Sequence, residues 1–168
     1  MRFLLLSLFL LVTACGFQPL HSKAYRAQQA IDLASLVVEV DTERRGQLLE
    51  AEIADAVNPD YQRAEKLYRL NIDLTETDIP LFINPDGTSA RGDIRLSSTY
   101  KLYRIADNMQ VDKGSISRIS SYNTSDQASA GYASFVSVED AKRRAVMELA
   151  QDYKLRMANL LSKLSARE

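Results

Sequence analysis

Tyr68-Arg69-Leu70-Asn71-Ile72-Asp73-Leu74 alternates apolar and polar side chains without a break. Successive side chains of a strand point to opposite faces, so Tyr68, Leu70, Ile72 and Leu74 share one face and the polar groups the other. The same period runs from Asp93 to Ile105. There Ile94, Leu96, Ser98, Tyr100 and Leu102 fall on one face, and Thr99, Lys101, Tyr103 and Ile105 on the second, which should be partly wet or covered by a partner. Asp107-Asn108 turns the chain, and a further strand is expected from Val111 to about Tyr122, with Gly114 as a bulge or twist point. Asp78 to Gly92 reads as a loop around the turn signal Asn84-Pro85-Asp86-Gly87. Upstream, Leu36, Val38 and Val40 alternate with Val37 and Glu39, a short strand.

Two stretches change period. Leu49, Ile53, Ala56 and Val57 lie on one helical face, with Asp41 or Thr42 available as cap and Asn58-Pro59 as stop. Gly46 inside this helix costs about 1 kcal/mol against alanine, so the helix leans on tertiary packing. Near the end, Val146, Leu149, Ala150, Tyr153, Met157, Leu160, Leu161 and Leu164 form one apolar stripe. Ser137-Val138-Glu139-Asp140 reads as a variant capping box, which predicts a helix from Val138 to Leu164. At about 1.5 Å per residue that helix is roughly 40 Å long, so its C-terminal turns are expected to project. The order is β-α-β-β-β-α. Two helices on one face of a four-stranded antiparallel or mixed sheet bury every one of these stripes, which predicts a two-layer α+β sandwich.

The first residues carry a different message. Arg2 precedes an apolar run from Phe3 to Val12, interrupted only by Ser7, of signal-peptide length and too short to span a bilayer. Val12-Thr13-Ala14-Cys15 fits a bacterial lipobox: an aliphatic residue, two small ones, then a cysteine whose thiol takes up diacylglycerol. Cleavage before Cys15 frees an amine for a further acyl chain. Stable anchoring takes two lipid signals, at about 0.8 kcal/mol per buried CH₂, and three chains exceed that. Residues 1–14 are therefore expected as a cleaved signal peptide, 15–34 as a lipidated tether, and 35–168 as one α+β domain. Gly16 after the cysteine resembles lipoproteins sorted to the outer membrane of a Gram-negative cell.

Removing residues 1–14 leaves 154, enough for one core, with 20 basic against 22 acidic residues. A nucleic-acid binder would usually be clearly basic. The catalytic inventory is poor. Cys15 is the only cysteine and His21, in the tether, the only histidine. No Ser-His or Cys-His arrangement, metal-ligand spacing, P-loop or glycine-rich nucleotide fingerprint occurs. Asp73, Glu76 and Asp78 cluster, but at a strand end, where a solvated rim is the simpler reading. No enzymatic activity, metal or cofactor is expected beyond the covalent N-acyl and S-diacylglycerol lipid on Cys15.

Cys15-Gly16-Phe17-Gln18-Pro19-Leu20 directly after a lipobox resembles the mature start of the LPS-assembly lipoproteins, the LptE-like family. Asp86-Gly87-Thr88-Ser89-Ala90-Arg91, Ser98-Thr99-Tyr100-Lys101-Leu102-Tyr103 and Ser121-Tyr122-Asn123 look like that family's central strands. Asp140-Ala141-Lys142-Arg143-Arg144-Ala145 with Glu148-Leu149-Ala150 looks like its second helix. The resemblance implies an outer-membrane lipoprotein on the periplasmic leaflet. It would plug and help assemble an LptD-type β-barrel translocon and take part in delivering lipopolysaccharide. A rival expectation is a periplasm-facing lipid or solute carrier, or an ABC-transporter auxiliary lipoprotein, which would need an apolar pocket. Arg91, Lys101 and Lys113 are the candidate contacts for LPS phosphate. Lys101 and Lys113 should face each other across the Asp107-Asn108 turn, and facing like charges are destabilising unless an anion sits between them.

Overall fold

The computed structural model describes residues 30–40, 44–59, 61, 63–83, 89–124 and 131–165. Cys15, Val12, Thr13 and Ala14 lie outside the described residues, as do the caps Asp41 and Thr42 and the turn Asn84-Pro85-Asp86-Gly87. A helical segment at 30–34 leads into β1 (Leu36–Val40), followed by α1 (Arg44–Val57), β2 (Tyr68–Ile83), β3 (Ser89–Arg104), β4 (Gln110–Asn123) and α2 (Gly131–Ser165). The sheet order is β1-β2-β3-β4, with β1 parallel to β2 and the other neighbours antiparallel. This is the expected two-layer α+β sandwich, with a mixed sheet. The parallel pair requires a crossover, which α1 supplies.

The alternation sorts as the sequence dictates. Leu70, Ile72, Ile94, Leu96, Ser98, Tyr100 and Leu102 are buried beneath the helices. Leu49, Ile53, Ala56 and Val57 of α1 and Val146, Leu149, Ala150, Tyr153, Met157 and Leu161 of α2 meet them. Ala141, Ala145 and Ala158 are buried as well and bring α2 close to its neighbours.

Three boundaries differ from expectation. Asp78 to Gly92 is not a loop: β2 and β3 pair through Pro80↔Gly92 and on to Ile83↔Ser89. Pro80 is tolerated because β1 pairs with β2 only as far as Ile72, so beyond that point a missing N–H removes no bond to β1. α2 begins at Gly131, so Ser137 is an interior residue and not a cap. Residues 132–136 contain no Pro or Gly, and nothing stops the helix there. Asp140 instead pairs with Arg144, one turn on. The overhang is at the opposite end from the one expected. Leu161 is buried and Leu164 packs on the core, whereas Tyr132 and Phe135 are 81% and 62% exposed. β4 ends at Asn123 opposite Arg91, leaving only the β2–β3 hairpin beyond that row.

Gly114 is not the bulge; the register shifts between Leu102 and Tyr103, opposite Val111. Gly114 sits opposite Tyr100 and makes room for its ring: a Cβ there would lie 2.9 Å from Oη and 3.0 Å from Cε1. Gly92 plays the same part opposite Tyr122, where a Cβ would come within 2.5 Å of Cζ.

Candidate functional site

Among the described residues, the helices cover one face of the sheet and leave the other open. Its rows follow from register. Glu39, Asn71, Lys101 and Lys113 form one row, then Asp73, Thr99 and Ser115, then Thr75, Ser97 and Ser117. Further along come Thr77, Arg95 and Ile119, then Ile79, Asp93 and Ser121, and finally Arg91 with Asn123. The centre of this face is therefore built of short hydroxyl side chains, with charges towards its ends. Ser121 donates to Asp93 at 2.6 Å. Arg69 lies 3.9 Å from Glu39 and stacks its guanidinium 5.7 Å from the Tyr103 ring centre.

Lys101 and Lys113 are direct cross-strand partners, as expected. Directly opposed residues stand about 4.5–5.5 Å apart at Cα or Cβ. Both lysines are exposed, and neither has an ion-pair partner among the described residues. Arg91 is not brought to them. It lies ten residues away along β3, about 33 Å at the rise of a strand, and it already engages another group. One phosphate-bearing headgroup cannot sit against all three. Sequence reasoning missed Arg95, exposed between the two ends on the same face. Its signal was available, because it shares odd-numbered parity with Lys101 along β3.

The carboxylates of the Asp73-Glu76-Asp78 cluster are split by the same alternation. Asp73 faces outwards. Glu76 faces α2 and lies 3.4 Å from Lys142, and Asp78 accepts from Tyr122 Oη at 2.7 Å.

Under α2 a polar seam pins helix to sheet. Tyr100 Oη donates to Asp112 Oδ2 at 2.8 Å and accepts from Arg156 Nε at 2.5 Å. The edge of Tyr100 meets Tyr153 with ring centres 5.7 Å apart at 80°. Tyr153 Oη and Ser98 Oγ share a bond of 2.8 Å, and Ser98 Oγ donates to the Ile116 carbonyl at 3.0 Å. Burial pushes the Tyr153 phenol up to about 12, against a smaller downward pull from the Ser98 bond. Burial also raises Tyr100, with Asp112 adding to the shift and Arg156 opposing it. Arg118 binds Asp152 through two nitrogens at 2.5 Å each, which closes the seam at the solvent edge.

Among the described residues, two clefts stand out. One, of about 310 Å³, lies beside the seam and is lined by Asp112, Arg156, Asn159, Leu160 and Lys163. The other, of about 170 Å³, lies between α1 and β1 and is lined by Leu36, Val38 and Val57 together with Glu50, Tyr61 and Lys66. Both carry charged walls. No group of three or more metal-ligating side chains, and no helix long and apolar enough to cross a membrane, occurs among the described residues.

No protein-family model matches this sequence, and no curated protein does. Solved structures do. A candidate lipoprotein of Caulobacter crescentus superposes with a TM-score of 0.66 at 23% identity, over 81% of this chain and 96% of the other. A minor lipoprotein of Acinetobacter baumannii gives 0.58 at 16% identity, over 74% and 90%. Rare lipoprotein B of Shewanella oneidensis gives 0.54 at 14% identity, over 77% and 98%. The class is thus defined by fold: a two-layer α+β domain similar, over nearly their full length, to proteins described as lipoproteins.

Proposed function

We propose that this chain is an outer-membrane lipoprotein, anchored at Cys15 in the periplasmic leaflet. In this reading it plugs and helps assemble an LptD-type β-barrel and takes part in delivering lipopolysaccharide to the cell surface. Its role is binding and assembly, not catalysis. The open sheet face carries the proposal. Thr75, Thr77, Ser97, Thr99, Ser115 and Ser117 make a polar, low-relief surface on a rigid sheet, and the interior of an outer-membrane barrel is itself polar. The lipobox, the CGFQPL start and a fold like that of proteins described as lipoproteins support the anchor. Packing supports a plug over a carrier: among the described residues, the side chains between sheet and helices form one continuous core.

Purifying the mature protein from detergent-solubilised outer membrane tests the proposal. A β-barrel should come with it across an interface larger than the about 1,200–2,000 Å² of a standard complex. Recovery as a free monomer overturns the plug. Thr99→Arg with Ser117→Arg, both on the open face, should release the barrel without unfolding the domain.

A further inference from the structure

One end of the sheet gathers exposed apolar side chains at the point where the chain enters from its N-terminus. Backbone bonds fix the arrangement. Ser35 N donates to Ile31 O at 3.2 Å, Leu67 N to Ser35 O at 2.9 Å, and Ile105 N to Leu67 O at 2.9 Å. The turn between β3 and β4 is rigid: Arg104 N donates to Met109 O at 2.9 Å, and Met109 N to Asp107 Oδ1 at 3.1 Å. Asn108 takes φ 52°, a left-handed conformation that asparagine tolerates, and its side chain accepts from Arg69 at 2.7 Å. This turn holds Ile105 (45% exposed) and Met109 (49%) outwards, with Leu67 (48%) and Ile31 (52%) beside them. A turn so well tied has no internal reason to display two large apolar groups.

We propose that this end rests on the bilayer, with Ile105 and Met109 entering the headgroup region and Leu67 and Ile31 beside them. The inference rests on the Cys15 anchor and not on the barrel. Fourteen residues, 16–29, separate Cys15 from residue 30. They span at most about 50 Å fully extended, so the lipid keeps the end of the domain near residue 30 within about that distance of the membrane. Amphipathic surfaces insert about 5–10 Å. Lys101 lies four residues back from Ile105, about 13 Å along the strand. That puts the opposed Lys101–Lys113 pair level with lipid phosphates, whose negative charge relieves its repulsion. The far ends of β2 and β3, where Ile83 pairs with Ser89, and the first turns of α2 lie at the other end of the sheet.

The chain has no tryptophan, so an introduced one reports alone. Full-length protein, processed and lipidated in cells, carries Ile105→Trp, Met109→Trp or Phe135→Trp. It is reconstituted in phosphatidylethanolamine–phosphatidylglycerol vesicles with plain or brominated acyl chains. The first two variants should shift to the blue and lose roughly half their emission to bromine, as insertion of about 5–10 Å implies; Phe135→Trp should do neither. Two turn positions are used so that one misfolded variant leaves the other to decide. Protein that floats with vesicles but shows no quenching at 105 or 109 overturns the inference and leaves the anchor standing. A blue shift without quenching means a protein covers this end, and equal quenching at 135 means the orientation is wrong; both overturn it. Protein that does not float removes the anchor and the inference together.

Discussion

Replacing Gly114 with alanine should destabilise the domain through a single ring. The new Cβ would lie 2.9 Å from Tyr100 Oη, 3.0 Å from Cε1 and 3.1 Å from Cζ. Relief requires the ring to retreat by several tenths of an ångström, and three contacts oppose that. Its hydroxyl is held by Asp112 and Arg156, and its edge by Tyr153. Overpacking of this kind costs about 1–3 kcal/mol. Alanine restricts the unfolded chain and returns about 0.4–1 kcal/mol. The net loss is about 1–2 kcal/mol, or roughly 2–8 °C in Tm for a domain of this size. Thermal melts of Gly114→Ala, Tyr100→Leu and the double variant decide the cause. Once the tyrosine is gone, Gly114→Ala should be neutral or stabilising. Equal losses in both backgrounds would refute the argument, because the ring would then not be what the methyl group strikes.

Tyr153 predicts an alkaline limit. The unfolded phenol ionises near 10 and the folded one near 12, so its contribution is complete below pH 10 and lost as pH climbs to 12. At about 1.4 kcal/mol per pH unit that is roughly 2–3 kcal/mol; denaturant unfolding at successive pH should show the slope, and Tyr153→Phe should flatten it. Cys15→Ser should leave an uncleaved precursor, and normal-length membrane-bound protein on an immunoblot would sink the lipobox. Lys101→Glu with Lys113→Glu should weaken binding of purified LPS by about a hundredfold or more, since each charge-assisted bond contributes about 1.5–3 kcal/mol. Arg91→Glu, about 33 Å away, should add to that effect independently; titration showing strong coupling would mean one headgroup spans the face after all.

The core was legible because alternation and helical spacing are local. Leu70, Ile72, Ile94, Leu96 and Leu102 needed only their parity, and Leu49, Ile53, Leu149 and Met157 only their stripe. The Lys101–Lys113 pairing followed from counting outwards from a turn. What failed was non-local. Asp78 to Gly92 looked like a loop because nothing in the sequence says where the flanking strand ends, and β1 stops opposite Ile72. Gly114 looked like a bulge because the ring it accommodates belongs to another strand. Ser137 looked like a cap because a capping box is read without knowing that the preceding turn can continue the helix. The candidate site was half legible for the same reason. Parity places Arg91 and Lys101 on one face, but ten residues of strand separate them, and Arg91 itself lay in the stretch read as a loop.

The two faces of the sheet answer to different constraints. On the helix side each residue is fixed by what it touches, so that Gly92 exists for Tyr122 and Ser98 for Tyr153. On the open side alternation is equally strict, yet among the described residues Thr75, Ser97 and Ser117 have no helix across from them. A strand needs polar groups on a wet face but does not need them short, and longer charged side chains would protect against aggregation better. Small hydroxyl groups at the centre, with Arg95 and the lysines towards the ends, keep the face flat enough for another backbone to approach. That choice costs solubility if the face stays in water, and it is well matched to a partner that covers it.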